Sequence, residues 1–272
     1  MNSKKINFSK FSSIKIGGLI DVALIENRTF NYKDYYIIGS CNNTLIGRQP
    51  PRLAMLSKKY DYINIEDGLL KIGGATPSGK IASFCKKHNI ANFEFISHLP
   101  GTLGGLVYMN AGLKEYEIFN NLVELLTING IKQKNEIEYA YRYTNINEPI
   151  FEASFEFNYG FDEEKLEMFK KMRLNQPATP SAGSCFKNPK DDYAGRLIEA
   201  VGLKGKRVGG MEFSHEHANF LVNFDNGNFD DAIYLIQEAQ KRVYEKFKIW
   251  LECEVTILDK RFMGKNSPLL KY

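Results

Sequence analysis

One loop of this chain places a hydroxyl, an ammonium group and a carboxamide within five residues. Ser184, Lys187 and Asn188 lie in the run Ala-Gly-Ser-Cys-Phe-Lys-Asn-Pro, where glycine and proline define the path of the backbone. A hydroxyl presented in this way could deliver a proton to a bound substrate. A Gly-Ser pair in such a loop is also typical of an ordinary turn, so both interpretations are open at this point.

Two further loops contain glycines and small polar residues and could bind a diphosphate through backbone N–H groups. Residues 98–105 read His-Leu-Pro-Gly-Thr-Leu-Gly-Gly and are followed by Asn-Ala-Gly at 110–112, while residues 39–45 read Gly-Ser-Cys-Asn-Asn-Thr-Leu. The first loop is neither a Walker loop nor a Rossmann fingerprint, because Gly-Lys-Ser/Thr and GxGxxG are absent from it. Each loop could be a structural turn, but two of them would suit an extended dinucleotide.

Two charged residues also allow two interpretations each. Arg142 lies between Tyr141 and Tyr143, a pattern typical of a cation–π arrangement or of a guanidinium aimed at a carboxylate or enolate. Glu254 lies on the polar face of an alternating run, which is either a solvated strand face or the lining of a cleft.

Apolar spacing and turn signals predict the elements that would position these residues. An Asp67-Gly68 hairpin joins two strands, Thr76 caps a helix that opens with Pro77, and Asp192 caps a short helix that Gly202 ends. Residues 229–247 have the spacing of an amphipathic helix. The predicted strands are 20–25, 35–38, 62–65, 69–72, 122–128, 151–157 and 248–258.

The composition is that of an ordinary globular protein: 272 residues, 43% hydrophobic, 25% charged and a net charge of +4. This charge is too small for a dense basic patch, so we expect no nucleic-acid partner. No apolar run approaches membrane-spanning length, and we expect a cytoplasmic protein without a membrane partner. The four cysteines are scattered without a CxxC pair, so neither disulfides nor a metal site is expected.

Taken together, these residues make the chain resemble the UDP-N-acetylenolpyruvoylglucosamine reductases, the MurB family of flavoenzymes, from about Phe11 to Leu258. The short interval between Arg142 and Gln176 resembles the class that lacks a long substrate-closing loop. The motifs that carry the resemblance lie, in order, at 100–105, 109–112, 141–142, 176–189, 197–199, 202–205, 214–220 and 251–255.

The resemblance implies an α+β fold, with a two-lobed FAD-binding fold of the vanillyl-alcohol-oxidase type and a C-terminal α+β substrate-binding domain. The implied boundaries are 1–58 and 59–160 for the two FAD-binding lobes, the second completed by a strand at 248–258, then 161–247 for the substrate-binding domain and 259–272 for a loosely ordered tail. It also implies reduction of a UDP-sugar, UDP-N-acetylglucosamine enolpyruvate, by FAD and NADPH (in some members NADH), carried out by a monomer.

The resemblance further implies roles by motif position. Ser184 would donate a proton, assisted by Lys187 or by the substrate, while Arg142 and Glu254 would stabilise an enolic intermediate; Glu254 can do so only when protonated or through a shared proton. The implied FAD-binding residues are Gly39, Ser40, Asn42, Asn43, Leu45, Pro100, Gly101, Thr102, Gly104, Gly105, Asn110, Ala111 and Gly112. The implied substrate-binding residues are Arg173, Lys187, Asn188, Lys204, His217 and Asn219, although a histidine beside Phe213 and Phe220 could equally be structural.

The chain departs from the family pattern in its first flavin loop, where Ser40-Cys41 replaces part of a glycine run. Two other functions stay open: an oxidase of another small alcohol or sugar on the same flavin fold, and a nucleotide-sugar or flavin-binding protein without turnover. The set of Ser184, Arg142 and Glu254 argues against an oxidase, because oxidation requires a base and no proton donor to a carbanion.

Overall fold

The computed structural model describes residues 2–264. Its helices are α1 (Phe8–Phe11), α2 (Ser78–Lys87), α3 (Leu103–Tyr108), α4 (Glu163–Met172), α5 (Ala194–Ala200) and α6 (Phe229–Phe247), with 3₁₀ helices at Lys58–Tyr60, Glu94–His98 and Lys134–Glu136. Its strands are β1 (Ser3–Asn7), β2 (Leu19–Ile25), β3 (Tyr36–Ile37), β4 (Thr44–Ile46), β5 (Leu53–Leu56), β6 (Ile63–Glu66), β7 (Leu69–Gly73), β8 (Gly112–Leu113), β9 (Tyr116–Glu117), β10 (Leu122–Thr127), β11 (Gly130–Gln133), β12 (Tyr139–Ala140), β13 (Tyr143–Thr144), β14 (Ile150–Phe155), β15 (Ser181–Ser184), β16 (Arg207–Val208), β17 (Met211–Phe213), β18 (Phe220–Asn223) and β19 (Thr256–Leu258). No helix in this part of the chain has both the length and the hydropathy to cross a membrane.

The first compact unit comprises residues 2–4, 22–40 and 52–174. Its largest sheet is antiparallel, in the order β11-β10-β14-β7-β6, and packs on a core that includes Ile81 of α2 and Leu103 of α3. The hairpin predicted between β6 and β7 is confirmed, because Asp67 and Gly68 have the positive φ angles of a tight turn, 54° and 76°.

A second sheet has the order β1-β2-β5-β3 and positions the first glycine loop. Strand β5 pairs in parallel with both β2 and β3, and the N–H of Ile38 donates to the carbonyl of Ala54 at 2.8 Å. This hydrogen bond fixes the chain immediately before Gly39, so the loop leaves a rigid sheet.

The second compact unit comprises residues 5–21, 41–51 and 175–264. Its antiparallel sheet has the order β15-β18-β17-β16, and β4 and β19 form a separate parallel pair. Helix α6 spans the predicted residues and buries an apolar face that includes Ala232, Ile236, Ala239 and Val243. Asn228 caps the helix by accepting from the N–H groups of Asp230 and Asp231. The predicted four-part division of the chain stays a prediction.

Both predicted side-chain caps are wrong by at least one residue. Helix α2 begins after Pro77, and the Thr76 hydroxyl donates instead to the carbonyl of Tyr62 and accepts from its N–H. Helix α5 begins after Tyr193, and Asp192 pairs with Arg196 rather than capping the first turn. In both places a competing partner takes the oxygen that a cap requires.

The predicted strand over 248–258 is wrong for most of its length. Lys248 ends α6 in the left-handed conformation, Cys253 makes a single antiparallel bridge to Phe186, and a continuous strand begins only at β19, which pairs with β4. The alternating side chains do point inward, since Leu251 and Val255 are in the apolar core of this unit. Burial, rather than a sheet ladder, therefore accounts for the alternation.

The predicted loose tail begins with an ordered residue. Asp259 is fully buried and accepts from the N–H groups of Gln49 and Arg261. Lys260 and Phe262 are also ordered, since their N–H groups donate to the carbonyls of Gln49 and Asp259, and residues 265–272 of the prediction lie outside the described residues.

Candidate active site

Ser184 is the last residue of β15, at a point where the strand is irregular. The register of β15 on β18 shifts between Ser181 and Ser184, and Gly183 within this bulge has a φ of 76°. A bulge turns the following side chain relative to the regular pleat, and the positive φ favours glycine at that position. The Ala-Gly-Ser motif therefore changes the direction of the half-buried Ser184 side chain relative to that in a regular strand.

The chain around Glu254 runs beside the segment that follows Ser184. The N–H of Glu254 donates to the carbonyl of Cys185 at 2.9 Å, and the N–H of Lys187 donates to the carbonyl of Glu252 at 2.9 Å. A bridge pairs Phe186 with Cys253 in antiparallel register. The structure therefore brings together the backbones that carry Ser184 and Glu254.

The second part of the first glycine loop adjoins the same segment. Asn43 donates its side-chain N–H to the carbonyl of Glu254 at 2.9 Å and accepts at its own carbonyl from the N–H of Thr256 at 3.0 Å. Asn42 accepts from the hydroxyl of Ser13, and Leu45 pairs with Ile257 in the β4–β19 ladder. Asn43 thus bonds the main chain on both sides of Val255, at Glu254 and at Thr256.

In the first unit, Gly39 touches the second glycine loop. A Cβ atom on Gly39 would lie 2.7 Å from Oγ1 of Thr102, so these two loops contact each other only because position 39 has no side chain. The half-buried Ser40 follows Gly39 in the chain. Helix α3 begins directly after Thr102. The two loops therefore form one surface here.

The glycines of the second loop serve different purposes. Cβ atoms on Gly101 and Gly105 would meet only side-chain atoms, at 3.5 and 3.7 Å, so a flat ligand could approach these Cα atoms. Gly104 and Gly112 instead permit backbone packing, because a Cβ would lie 3.1 Å from the carbonyl of Gly74 or 2.3 Å from that of Tyr116. Pro100 is exposed, whereas Asn110 and Ala111 are buried.

Arg142 occupies the two-residue turn between β12 and β13 with a φ of 55°. Its guanidinium donates to the carbonyls of Gly112, at 2.7 Å, and Asn110, at 3.4 Å. It also lies over the ring of Tyr141, with 4.9 Å between Cζ and the ring centroid, so the cation–π interpretation is confirmed alongside two partly buried hydrogen bonds. An arginine in the left-handed region is strained, and such strain clusters at functional sites.

Arg173 ends α4 near Arg142 in the same unit. Burial, and then the positive charge of Arg142, lower the pKa of Arg173 from its ordinary value. The nearby His98, to which the sequence assigned no role, has its pKa lowered by burial and then by Arg173, and its Nε2 is buried without a hydrogen-bond partner among residues 2–264. This corner of the first unit is suited to an anion.

The substrate-binding residues predicted in the second unit lie around α5. Asn188 accepts from the N–H of Ala194 at 3.1 Å, and Lys204 pairs with Glu199 at 3.2 Å. His217 packs edge-on against Phe220 and faces Gly195, where a Cβ would lie 3.3 Å from the imidazole. Burial lowers the pKa of His217, and the charge of Lys204 lowers it further, which favours the neutral imidazole.

Two predicted residues are already engaged within the protein. Lys187 forms an ion pair with Glu252, with 2.6 Å between Nζ and Oε1. Asn219 is 3% exposed, and both polar atoms of its side chain bond the main chain of Phe186. Asparagine alone in a sequence does not reveal such burial, so no signal there distinguished Asn219 from a ligand-binding residue.

A family model and two relatives with similar sequences carry the same name. Residues 175–258 match the family model for the C-terminal domain of UDP-N-acetylenolpyruvoylglucosamine reductase. The chain is 45% identical over 258 residues to that reductase from Campylobacter jejuni (strain RM1221), covering 93% of this chain and 99% of the relative. It is 46% identical over 263 residues to the reductase from Helicobacter hepaticus, covering 95% and 100%.

A solved structure shares the fold. The crystal structure of UDP-N-acetylenolpyruvylglucosamine reductase (MurB) from Thermus caldophilus matches with a TM-score of 0.83 over 95% of this chain and 99% of that chain, at 24% identity. This likeness confirms the predicted α+β fold class.

Proposed function

The chain belongs to the UDP-N-acetylenolpyruvoylglucosamine reductase family, and we propose that it reduces UDP-N-acetylglucosamine enolpyruvate to UDP-N-acetylmuramate in peptidoglycan precursor synthesis. Identities of 45% and 46% to reductases of that name, over almost the full length of each protein, support this activity. FAD, when bound, would supply a hydride that it has received from NADPH. The residues of the chain have to manage the charge and the proton that follow.

The proton has a defined destination. Hydride addition to the terminal carbon of the enolpyruvyl double bond places an electron pair on the carbon beside the carboxylate, as an enolate. Ser184 donates its hydroxyl proton to that carbon, which completes the second C–H bond, and regains a proton from solvent. The observation that supports this role is the 2.9 Å hydrogen bond from the main-chain N–H of Glu254 to the carbonyl of Cys185. This bond places the segment that follows the proton donor beside the residue that bears the carboxyl group.

Arg142 and Glu254 stabilise the enolate before it is protonated. The Arg142 guanidinium is oriented in advance by the carbonyls of Gly112 and Asn110, and a preoriented cation stabilises developing charge without reorganising. Glu254 acts in its protonated form or by sharing a proton, since a carboxylate would repel the enolate. The contact of Asn43 with the Glu254 peptide supports a fixed position for this residue.

The residues present fit an FAD molecule. Backbone packing does not account for glycine at 101 and 105, where a Cβ would meet only the side chains of Leu106 and Thr102, and glycine there would allow the close backbone approach that a pyrophosphate or flavin requires. We propose that FAD is held by Gly39, Ser40, Asn42, Asn43, Leu45, Pro100, Gly101, Thr102, Gly104, Gly105, Asn110, Ala111 and Gly112. We propose that the UDP-sugar is held by Arg173, Lys187, Asn188, Lys204 and His217, of which the cationic side chains suit its phosphates.

NADPH as the reductant, a cytoplasmic location and a monomeric state complete the proposal. NADPH is what the family resemblance implies. Comparing anaerobic flavin reduction by NADPH and by NADH tests the reductant, and light scattering on a size-exclusion column tests the monomer.

The function is tested by anaerobic stopped-flow in two half-reactions. The flavin is first reduced with NADPH and is then mixed with UDP-N-acetylglucosamine enolpyruvate. We expect rapid reoxidation that Ser184→Ala slows by about 10²- to 10⁴-fold, the usual contribution of a general acid, while flavin reduction persists. A flavin that stays reduced until oxygen enters indicates an oxidase, and a protein that does not bind FAD is not a flavoenzyme.

A further inference from the structure

The side chain of Asn219 forms a closed pair with the main chain of one residue. Its Oδ1 accepts from the N–H of Phe186 at 3.0 Å, and its Nδ2 donates to the carbonyl of Phe186 at 2.8 Å. Its own main-chain carbonyl accepts from the N–H of Cys185 at 2.7 Å. Asn219 therefore makes three hydrogen bonds to the two residues that follow Ser184.

These bonds fix one side of the segment after Ser184, and the chain around Glu254 fixes the other. Of three consecutive N–H groups, those of Cys185 and Phe186 donate to Asn219, and that of Lys187 donates to the carbonyl of Glu252. The carbonyl of Cys185 accepts from Glu254. The segment is thus hydrogen bonded on two sides, to Asn219 on one and to the chain around Glu254 on the other.

A carboxamide is the group that this pairing requires. Phe186 and Asn219 are almost completely buried, so each unpaired polar group in this pair would carry a desolvation penalty. A carboxylate could accept from the N–H of Phe186 but could not donate to its carbonyl. Asn219 is itself fixed, because its N–H donates to Nδ1 of His217 at 3.2 Å.

We propose that Asn219 is a positioning residue that sets the direction of the Ser184 hydroxyl through the backbone of Cys185 and Phe186, rather than a ligand of the substrate. The inference deepens the proposed function and rests on it, because it takes Ser184 as the proton donor. Both polar atoms of the Asn219 side chain already bond Phe186, and the residue is 3% exposed, so a sugar or a phosphate has little access to it.

The chain offers a matched control close by. Asn219 immediately precedes β18, and Asn223, the last residue of β18, is 7% exposed and has a carboxamide that also makes a two-sided bridge. It accepts from the N–H of Gly227 at 2.7 Å and donates to the carbonyl of Ile14 at 3.0 Å. Substitution there removes an equivalent buried cross-link without removing the bonds to Phe186.

The test compares Asn219→Asp and Asn219→Ala with Asn223→Asp and Asn223→Ala in the two half-reactions. We expect both Asn219 variants to slow reoxidation by at least about tenfold, with flavin reduction and the Kd for UDP-N-acetylmuramate within about twofold of the parent. We expect the Asn223 variants to lower the melting temperature about as much as the Asn219 variants do and to leave the rates of both half-reactions unchanged. If Asn219→Ala does not fold, Asn219→Asp, which retains the bond from Phe186, carries the comparison.

A double variant tests whether Asn219 acts through Ser184. Adding Asn219→Asp to Ser184→Ala should slow reoxidation no further, since residues that act as a unit are not additive. Additive slowing, a selective loss of ligand affinity, or equal losses in both half-reactions would overturn the inference. Slow reoxidation in Ser184→Ala with normal Asn219 variants also overturns it and leaves the proposed function intact. Normal reoxidation in Ser184→Ala removes the proposed proton donor itself.

Discussion

The carboxamide of Asn43 donates to the main-chain carbonyl of Glu254 at 2.9 Å. This bond ties a residue of the first glycine loop to the peptide of the carboxyl group that we propose to act on the enolate. The N–H of Glu254 donates to the carbonyl of Cys185, next to Ser184, at 2.9 Å. The main chain of Glu254 is therefore bonded both to the loop and to the segment that follows Ser184.

Glu254→Gln and Glu254→Ala separate hydrogen bonding from size. If Glu254 stabilises the enolate by donating a hydrogen bond, Gln keeps a donor and Ala does not, so Ala should slow reoxidation by about 10²- to 10³-fold and Gln by less. Single-turnover reoxidation measures both. Glu238→Gln, which breaks a surface pair with Arg242, is the control and should reoxidise normally. Equal rates in the Gln and Ala variants would exclude a donor role.

Local patterns predicted those elements that depend on local interactions. Helix α6 occupies the predicted residues because its apolar spacing, its Asn228 cap and its left-handed Lys248 all agree. The Thr76 and Asp192 caps failed because Tyr62 and Arg196 compete for the same oxygens. A sequence does not show a partner supplied by a different segment.

The same limit applies to the candidate site. The glycine loops, Ser184 and Glu254 were recognisable by motif, and the structure brings the segments of Ser184 and Glu254 together. The pairing of Asn219 with Phe186 was not recognisable, since it depends on the register of β15 and β18 and on complete burial. Residue type alone favoured a ligand there, whereas in the fold both polar atoms of its side chain bond Phe186.

Cys41 lies in the first glycine loop with a φ of 54°, a conformation that favours glycine. Cys41→Gly should therefore retain FAD and lose little stability, because relief of about 1–2 kcal/mol of left-handed strain offsets the lost burial. Cys41→Val should be less stable than Cys41→Gly by about 1–3 kcal/mol, since a β-branched residue resists this φ. Thermal unfolding and FAD retention on gel filtration measure both. Cys85→Val, in helix α2, controls for the change in side-chain size. If Cys41→Val and Cys85→Val lose the same amount of stability, the strain argument is contradicted.

The cysteine thiols should be inert in the native protein. Burial raises the pKa of Cys41, Cys85 and Cys253 to about 12 and raises that of Cys185 well above its ordinary value. Since only the thiolate is nucleophilic, iodoacetamide at pH 8 should leave the folded holoenzyme unlabelled. After denaturation, intact mass should show four adducts, one for each cysteine. Rapid labelling of Cys185 with loss of reoxidation would instead reveal an accessible thiol beside Ser184.

Asp259 should make stability depend on acid pH. Its carboxylate is fully buried and is hydrogen bonded by Arg261, which holds the pKa of Asp259 below its ordinary value. Because the folded pKa is depressed, the stabilisation is present above the unfolded pKa, about 3.9, and is lost as the pH falls through the folded pKa.

Asp259→Asn should consequently lower the free energy of unfolding by about 1–3 kcal/mol at pH 7, as expected for lost hydrogen bonds to a charged group. The difference from the parent should shrink as urea unfolding is repeated at pH 5, 4 and 3, because the parent carboxylate becomes protonated in the unfolded state first. Asp192→Asn, which breaks a surface pair with Arg196, should change stability much less. If the free energy of unfolding of Asp259→Asn stays below that of the parent by a constant amount from pH 7 to pH 3, Asp259 stabilises the fold through its shape between Gln49 and Arg261 and not through its charge.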